Sequence, residues 1–126
     1  SRVLLADDDP ETGDVVAEAL RRRGWMVTQC NGAAEALRTL AEDSHFDVVL
    51  SDQIMPDTRG TDLVRTIRRR HPQLPCVLYT GYDESLNDRT ARECGASTLL
   101  NKPLDFDALS DTLARHARRR ESGDTA

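Results

Sequence analysis

Five short apolar runs recur along the chain, each followed by a segment in which apolar residues are spaced three and four apart. This alternation constrains the fold more than any other feature, because strands that alternate with amphipathic helices call for a parallel sheet covered on both faces. The runs are residues 2–6, 25–29, 48–50, 75–79 and 97–100. The third, Val48-Val49-Leu50, is continuous and bulky between polar neighbours, as in a strand buried on both faces. The second is partly polar and suits a sheet edge. The simplest doubly wound α/β order for five strands is 2-1-3-4-5, which makes the first and third strands neighbours.

The linking segments carry helix punctuation. Asp9 is placed as an N-cap with Pro10 at the first helical position. Val15, Val16, Ala19 and Leu20 follow with helical spacing, and Gly24 ends the helix. Asn31 opens a second helix with Ala33, Ala36, Leu37 and Leu40 on one face. Gly60 gives a turn before a third, marked by Leu63, Val64 and Ile67 and stopping at Arg68-Arg69-Arg70-His71 before Pro72. A fourth, from about Asp83 to Cys94 with Gly95 as its cap, has few anchors, mainly Leu86, Ala91 and Cys94, which predicts the least firmly held element. The last presents Phe106, Leu109, Leu113 and Ala117.

At 126 residues the chain is one domain, assigned to residues 1–120, with the small polar residues 121–126 expected to fray. A net charge of -5 argues against general affinity for nucleic acid or anionic membrane. The arginine clusters at residues 68–70 and 115–120 fall at helix C-termini, where cations suit the helix dipole. Cys30, Cys76 and Cys94 are odd in number and far apart, so they read as reduced thiols and small core residues of a cytoplasmic protein. His45, His71 and His116 lack ligand spacing and read as surface residues. No stretch has the length of a signal peptide or a membrane span. The chain does not begin with Met, which fits a piece of a longer protein.

The chemistry lies in the loops. In an open parallel sheet, ligands bind outside the carboxyl ends of the strands. With the order 2-1-3-4-5, Asp7, Asp8 and Asp52 converge on one crevice, and Thr80 and Lys102 open into it. Crowded carboxylates repel, and a divalent cation is the usual reason to tolerate them. Oxygen-only ligands select a hard ion, and magnesium leaves room for phosphoryl oxygens. A carboxylate can attack phosphorus to give an aspartyl-phosphate. Lys102 as a point charge and the Thr80 hydroxyl could neutralise and bond the remaining oxygens. Singly, Asp7-Asp8-Asp9 is an ordinary capped turn, Asp52 a strand-ending turn residue, Thr80-Gly81 a strand end and Lys102-Pro103 a surface loop. The functional reading rests on the agreement of all four.

The run Leu4-Leu5-Ala6-Asp7-Asp8-Asp9-Pro10, then Asp52-Gln53-Ile54-Met55-Pro56 with Gly60, then Thr80-Gly81, then Lys102-Pro103, resembles the receiver domain of two-component response regulators over residues 2–118. The resemblance implies a (βα)5, flavodoxin-like fold and a magnesium-dependent phosphoacceptor, Asp52, served by a histidine kinase or a histidine phosphotransfer protein. It implies a metal site of Asp7, Asp8, Asp52 and the backbone carbonyl of Ile54, with Asp8 and Asp52 as direct ligands. Thr80 and Lys102 would read the phosphorylated state. It further implies a signalling domain rather than an enzyme, with self-dephosphorylation at most and a downstream target reached through its surface. The stretch from Asp52 to Tyr82 also looks like receivers appended to hybrid sensor histidine kinases, so a kinase in the parent chain is an expectation.

Two departures from the family matter. Leu99 stands where an aromatic usually precedes the lysine by three residues, which favours a fixed packing role over an aromatic switch. Ile54 and Tyr82 are bulky, which predicts obstruction of hydrolytic water and a long-lived phosphorylated form. Two other functions compete. An aspartyl-nucleophile phosphohydrolase would want a second acid where Ile54 stands, and a phosphorylation-independent docking module would not need the intact set of acids, threonine and lysine.

Overall fold

The computed structural model describes residues 1–81 and 86–117. Its elements alternate as expected: β1 (Arg2–Ala6), α1 (Pro10–Arg22), β2 (Met26–Cys30), α2 (Ala33–Glu42), β3 (Val48–Asp52), α3 (Gly60–Arg70), β4 (Cys76–Thr80), α4 (Asp88–Cys94), β5 (Thr98–Asn101) and α5 (Phe106–His116). All paired strands are parallel, in the order β2-β1-β3-β4-β5. Every residue of β3 and β4 is buried, whereas β2 and β5, at the edges, are only partly covered.

The two-residue period of the strands divides the core into two layers. Leu4, Ala6, Val49, Cys76 and Leu78 pack against α2, α3 and α4. Val3, Leu5, Val48, Leu50, Val77 and Tyr79 pack against Val16, Ala17 and Leu20 of α1 and Leu109 and Leu113 of α5. Each fully buried Leu or Val contributes about 1.5–3 kcal/mol through the water it leaves, so these layers hold the strand ends in register. All three cysteines are free and buried, as their core assignment requires.

Asp9 and Gly95 cap α1 and α4 where the sequence put them, and Asp105, Asn87 and Asp57 supply caps that it did not show. Asp9 accepts from the Glu11 amide ahead of Pro10, and Asp105 accepts from the amides of Asp107 and Ala108. Helix α4 opens on a reciprocal pair, the Asn87 side chain accepting from the Thr90 amide and the Thr90 hydroxyl accepting from the Asn87 amide. It ends at Gly95, whose φ of 106° places it in the left-handed region. Helix α2 has Gly32 as its N-cap and no cap of its own; Asp57, from the loop after β3, accepts from the Ala34 amide at 3.2 Å.

Several boundaries differ from expectation. Strands β2, β4 and β5 each begin one residue late. Trp25 is instead a plug, its amide bonded to the Leu20 carbonyl and its indole N–H to Ser110 Oγ. Pro75 lacks the amide that a ladder needs. Helix α2 starts at Ala33, not Asn31, because the Asn31 amide turns to the Glu35 carboxylate. Val15 is 52% exposed, since the buried stripe of α1 runs through Gly13, Val16, Ala17 and Leu20 and leaves Val15 off to one side. His45 is exposed, but His71 and His116 are half-buried. Helix α4 begins at Asp88 behind the Asn87 cap, not near Asp83, because the Asn87 side chain takes up the free Thr90 amide of its first turn. The Tyr82 side chain, Arg118 to Arg120 and the tail from residue 121 lie outside the described residues.

Candidate functional site

The site grows out of four strand ends. Strand β1 runs directly into Asp7 and Asp8, β3 ends on Asp52, β4 ends on Thr80, and β5 is followed by Lys102. Strands β1 and β3 are paired neighbours although β2 separates them in sequence. The carboxylates of Asp7, Asp8 and Asp52 therefore meet at the point where the sheet changes direction, with one oxygen of each within 4.8 Å of the others. Lys102 Nζ lies 3.5 Å from Asp52 Oδ2. The Lys102 amide donates to the Thr80 carbonyl at 2.8 Å, tying the last two loops together.

The three carboxylates are not equivalent. Asp7 is fully buried and engaged at both oxygens: Oδ1 accepts from the Asp9 amide at 2.9 Å, and Oδ2 accepts from the Tyr79 phenol. Asp52 is buried and held at Oδ1 by the Ile54 amide at 3.3 Å, with Lys102 at Oδ2. Asp8 is half-exposed. Beneath Lys102 lies the Tyr79 ring, its centroid 5.2 Å from Nζ. The Thr80 hydroxyl is buried and has no hydrogen-bond partner among the described residues.

The loop after Asp52 is pinned. Gly60 donates to the Gln53 carbonyl at 2.8 Å, and the Gln53 side chain accepts from the Thr61 amide at 2.9 Å. A Cβ on Gly60 would collide with the Asp52 carbonyl and stand 2.8 Å from Leu78 Cδ2, so only glycine lets α3 start this close to β3.

Comparison with known proteins decides the family. The model for the response regulator receiver domain matches residues 3–114. The chain belongs to the response regulator receiver family. Its curated relatives include the response regulator protein PilR of Pseudomonas aeruginosa, 33% identical over 119 residues that cover 94% of this chain and 26% of PilR. They also include the sensor histidine kinase RcsC of Escherichia coli, 32% identical over 124 residues that cover 98% of this chain and 13% of RcsC. The chain thus spans about a quarter of PilR and about an eighth of RcsC. Among solved structures, a response regulator receiver domain protein from Clostridium thermocellum superposes with a TM-score of 0.89 at 27% identity, covering 96% of this chain and 97% of that one.

The electrostatics of this receiver follow from its crowding. Burial, and then the charge of Asp7, raise the Asp52 pKa, while Lys102 offsets part of the rise. The Tyr79 phenol is pushed far up by burial and by Asp7, so it is a fixed hydrogen donor. Three carboxylate oxygens within 4.8 Å of one another make a donor set that fits a hard divalent cation such as magnesium. Ile54 is 51% exposed beside Asp52. Leu99 is buried in the layer that holds α4, together with Leu86 and Ala91, as a packing residue would be.

Tyr79 is the site residue that the sequence did not reveal. It sits inside an apolar run and reads there as core. Its register partner is Asp52, and its phenol reaches across to Asp7. A hydroxyl-bearing ring immediately before Thr80 is the only signal the sequence offered, since a buried phenol usually needs a partner.

Proposed function

We propose that Asp52 is the phosphoacceptor of a two-component phosphorelay and that it takes its phosphoryl group from a phosphohistidine on a histidine kinase or a histidine phosphotransfer protein. The observation that carries this reading is the Asp52 carboxylate, buried among two further acids with Lys102 Nζ at 3.5 Å. In the reaction an Asp52 oxygen forms a bond to phosphorus as the phosphorus–nitrogen bond breaks. The leaving imidazole keeps the electron pair and takes up a proton, and an acyl phosphate remains on Asp52.

The chain's own groups divide the work. Lys102 exchanges its contact with Asp52 for one with a phosphoryl oxygen, and the Thr80 hydroxyl gains the acceptor it lacks. Asp8, Asp52 and the Ile54 carbonyl would hold magnesium, with Asp7 as an outer ligand. When bound, magnesium neutralises charge on the transferring phosphoryl group and on the carboxylates around it. Ile54, half-exposed beside the acceptor, shields the acyl phosphate from water and lengthens its life. The Thr80 and Lys102 contacts pull on the ends of β4 and β5, so the surface of α4, β5 and α5 carries the output to a downstream target.

Incubation with magnesium and acetyl phosphate, followed by intact-mass measurement, should show one phosphoryl group added to the wild-type chain and none to Asp52→Asn. Steady phosphate release from unrelated monoesters without an adduct would instead identify a hydrolase. Absence of both would leave a docking module.

A further inference from the structure

The Tyr79 phenol has no assigned part in phosphoryl transfer, yet it is wholly buried and spends its only hydrogen on Asp7. Asp7 is already oriented without it, because Oδ1 accepts from the Asp9 amide and the carboxylate is enclosed. What the phenol adds is a positive dipole end at the most buried of three clustered charges. That contribution matters most when no cation is present, and it weakens once a cation shares the same charge.

We infer that Tyr79 is a positioning residue that stands in for the cation: its hydroxyl stabilises the metal-free acidic cluster, keeps Asp7 as an outer ligand, and thereby lowers the affinity of the receiver for magnesium. This rests on the proposed metal site and deepens it. Removing the hydroxyl destabilises the metal-free cluster more than the metal-bound one, so the difference appears as tighter binding. The ring itself stays useful, since its face lies under Lys102 and its edge fills the layer between the sheet and the helices α1 and α5.

The test is isothermal titration of magnesium into metal-free wild type, Tyr79→Phe, Asp7→Asn and the double variant. Tyr79→Phe should bind magnesium roughly three- to ten-fold more tightly, the scale set by a hydrogen bond to a charged group that is partly lost on binding. In the Asp7→Asn background the same substitution should change the affinity by less than about 1.5-fold, because the charge it acts on is gone. An equal or weaker affinity for Tyr79→Phe, or an undiminished effect in the Asp7→Asn background, overturns the inference while leaving the metal site intact. No magnesium binding by the wild type would overturn the metal site and this inference with it. Should Tyr79→Phe fold poorly, Tyr79→Met, a smaller and adaptable apolar side chain without a donor, gives the same comparison.

Discussion

Thr80 is held in a state that a folded protein normally avoids. A buried hydroxyl without a partner costs about 1–3 kcal/mol relative to one that is bonded, and the Thr80 hydroxyl is such a group. Thr80→Val removes the hydroxyl at nearly constant shape. In urea unfolding of the metal-free protein this variant should therefore be more stable than wild type by roughly 1 kcal/mol. It should still form the Asp52 adduct, but the adduct should no longer alter the exchange of backbone amides in β4 and β5. A less stable Thr80→Val would show that the hydroxyl finds a partner in solution. Thr80 was legible from the sequence as a residue type at a strand end; its lack of a partner was not, since that depends on everything packed around it. Tyr79 was illegible for the complementary reason. Its phenol finds Asp7 only after β1, β3 and β4 are set side by side, and a single apolar run carries no trace of that pairing.

At the scale of elements, the strand order and the convergence of the loops could be read because five alternating units leave few doubly wound solutions. The strand and helix ends could not, because they depend on single hydrogen bonds such as the Trp25 amide to Leu20 or the Asn31 amide to Glu35. The cap that Asp57 lends to α2 was hidden for the same reason, as it joins a loop to a helix start 23 residues earlier. In the sequence Gly60 marks a turn, whereas its role is close approach: a Cβ there would press on the Asp52 carbonyl and on Leu78. Gly60→Ala should lower stability by about 1–3 kcal/mol, the usual range for overpacking. It should also slow acetyl-phosphate labelling at saturating magnesium, because the backbone that must yield is the one that carries Asp52. Urea titration and a labelling time course check both effects. Loss of stability with an unchanged labelling rate would mean that Leu78, and not the Asp52 carbonyl, gives way.

Over the whole molecule, the site joins the carboxyl ends of four strands, so whatever binds there is linked to global unfolding. A ligand at about 100 times its Kd adds roughly 2.7 kcal/mol to a fold that binds it only when native. For a domain of this size that corresponds to about 10 °C in Tm. Without metal, the folded state holds the Asp52 proton more tightly than the unfolded chain does, because burial and Asp7 raise its pKa. Stability should therefore fall as pH rises from the ordinary carboxylate range through the raised Asp52 value, and the cost should be fully present above it. A cation reverses the sign of the interaction, since it favours the same carboxylate in its ionised form. The increase in Tm produced by magnesium should then be small at acidic pH, grow across that window and level off toward neutrality. Asp52→Asn should raise the metal-free Tm at neutral pH, flatten its dependence on pH through this window, and reduce the response to magnesium. Thermal melts at a series of pH values, with magnesium and with chelator, separate these outcomes. A magnesium effect independent of pH would place the cation away from Asp52.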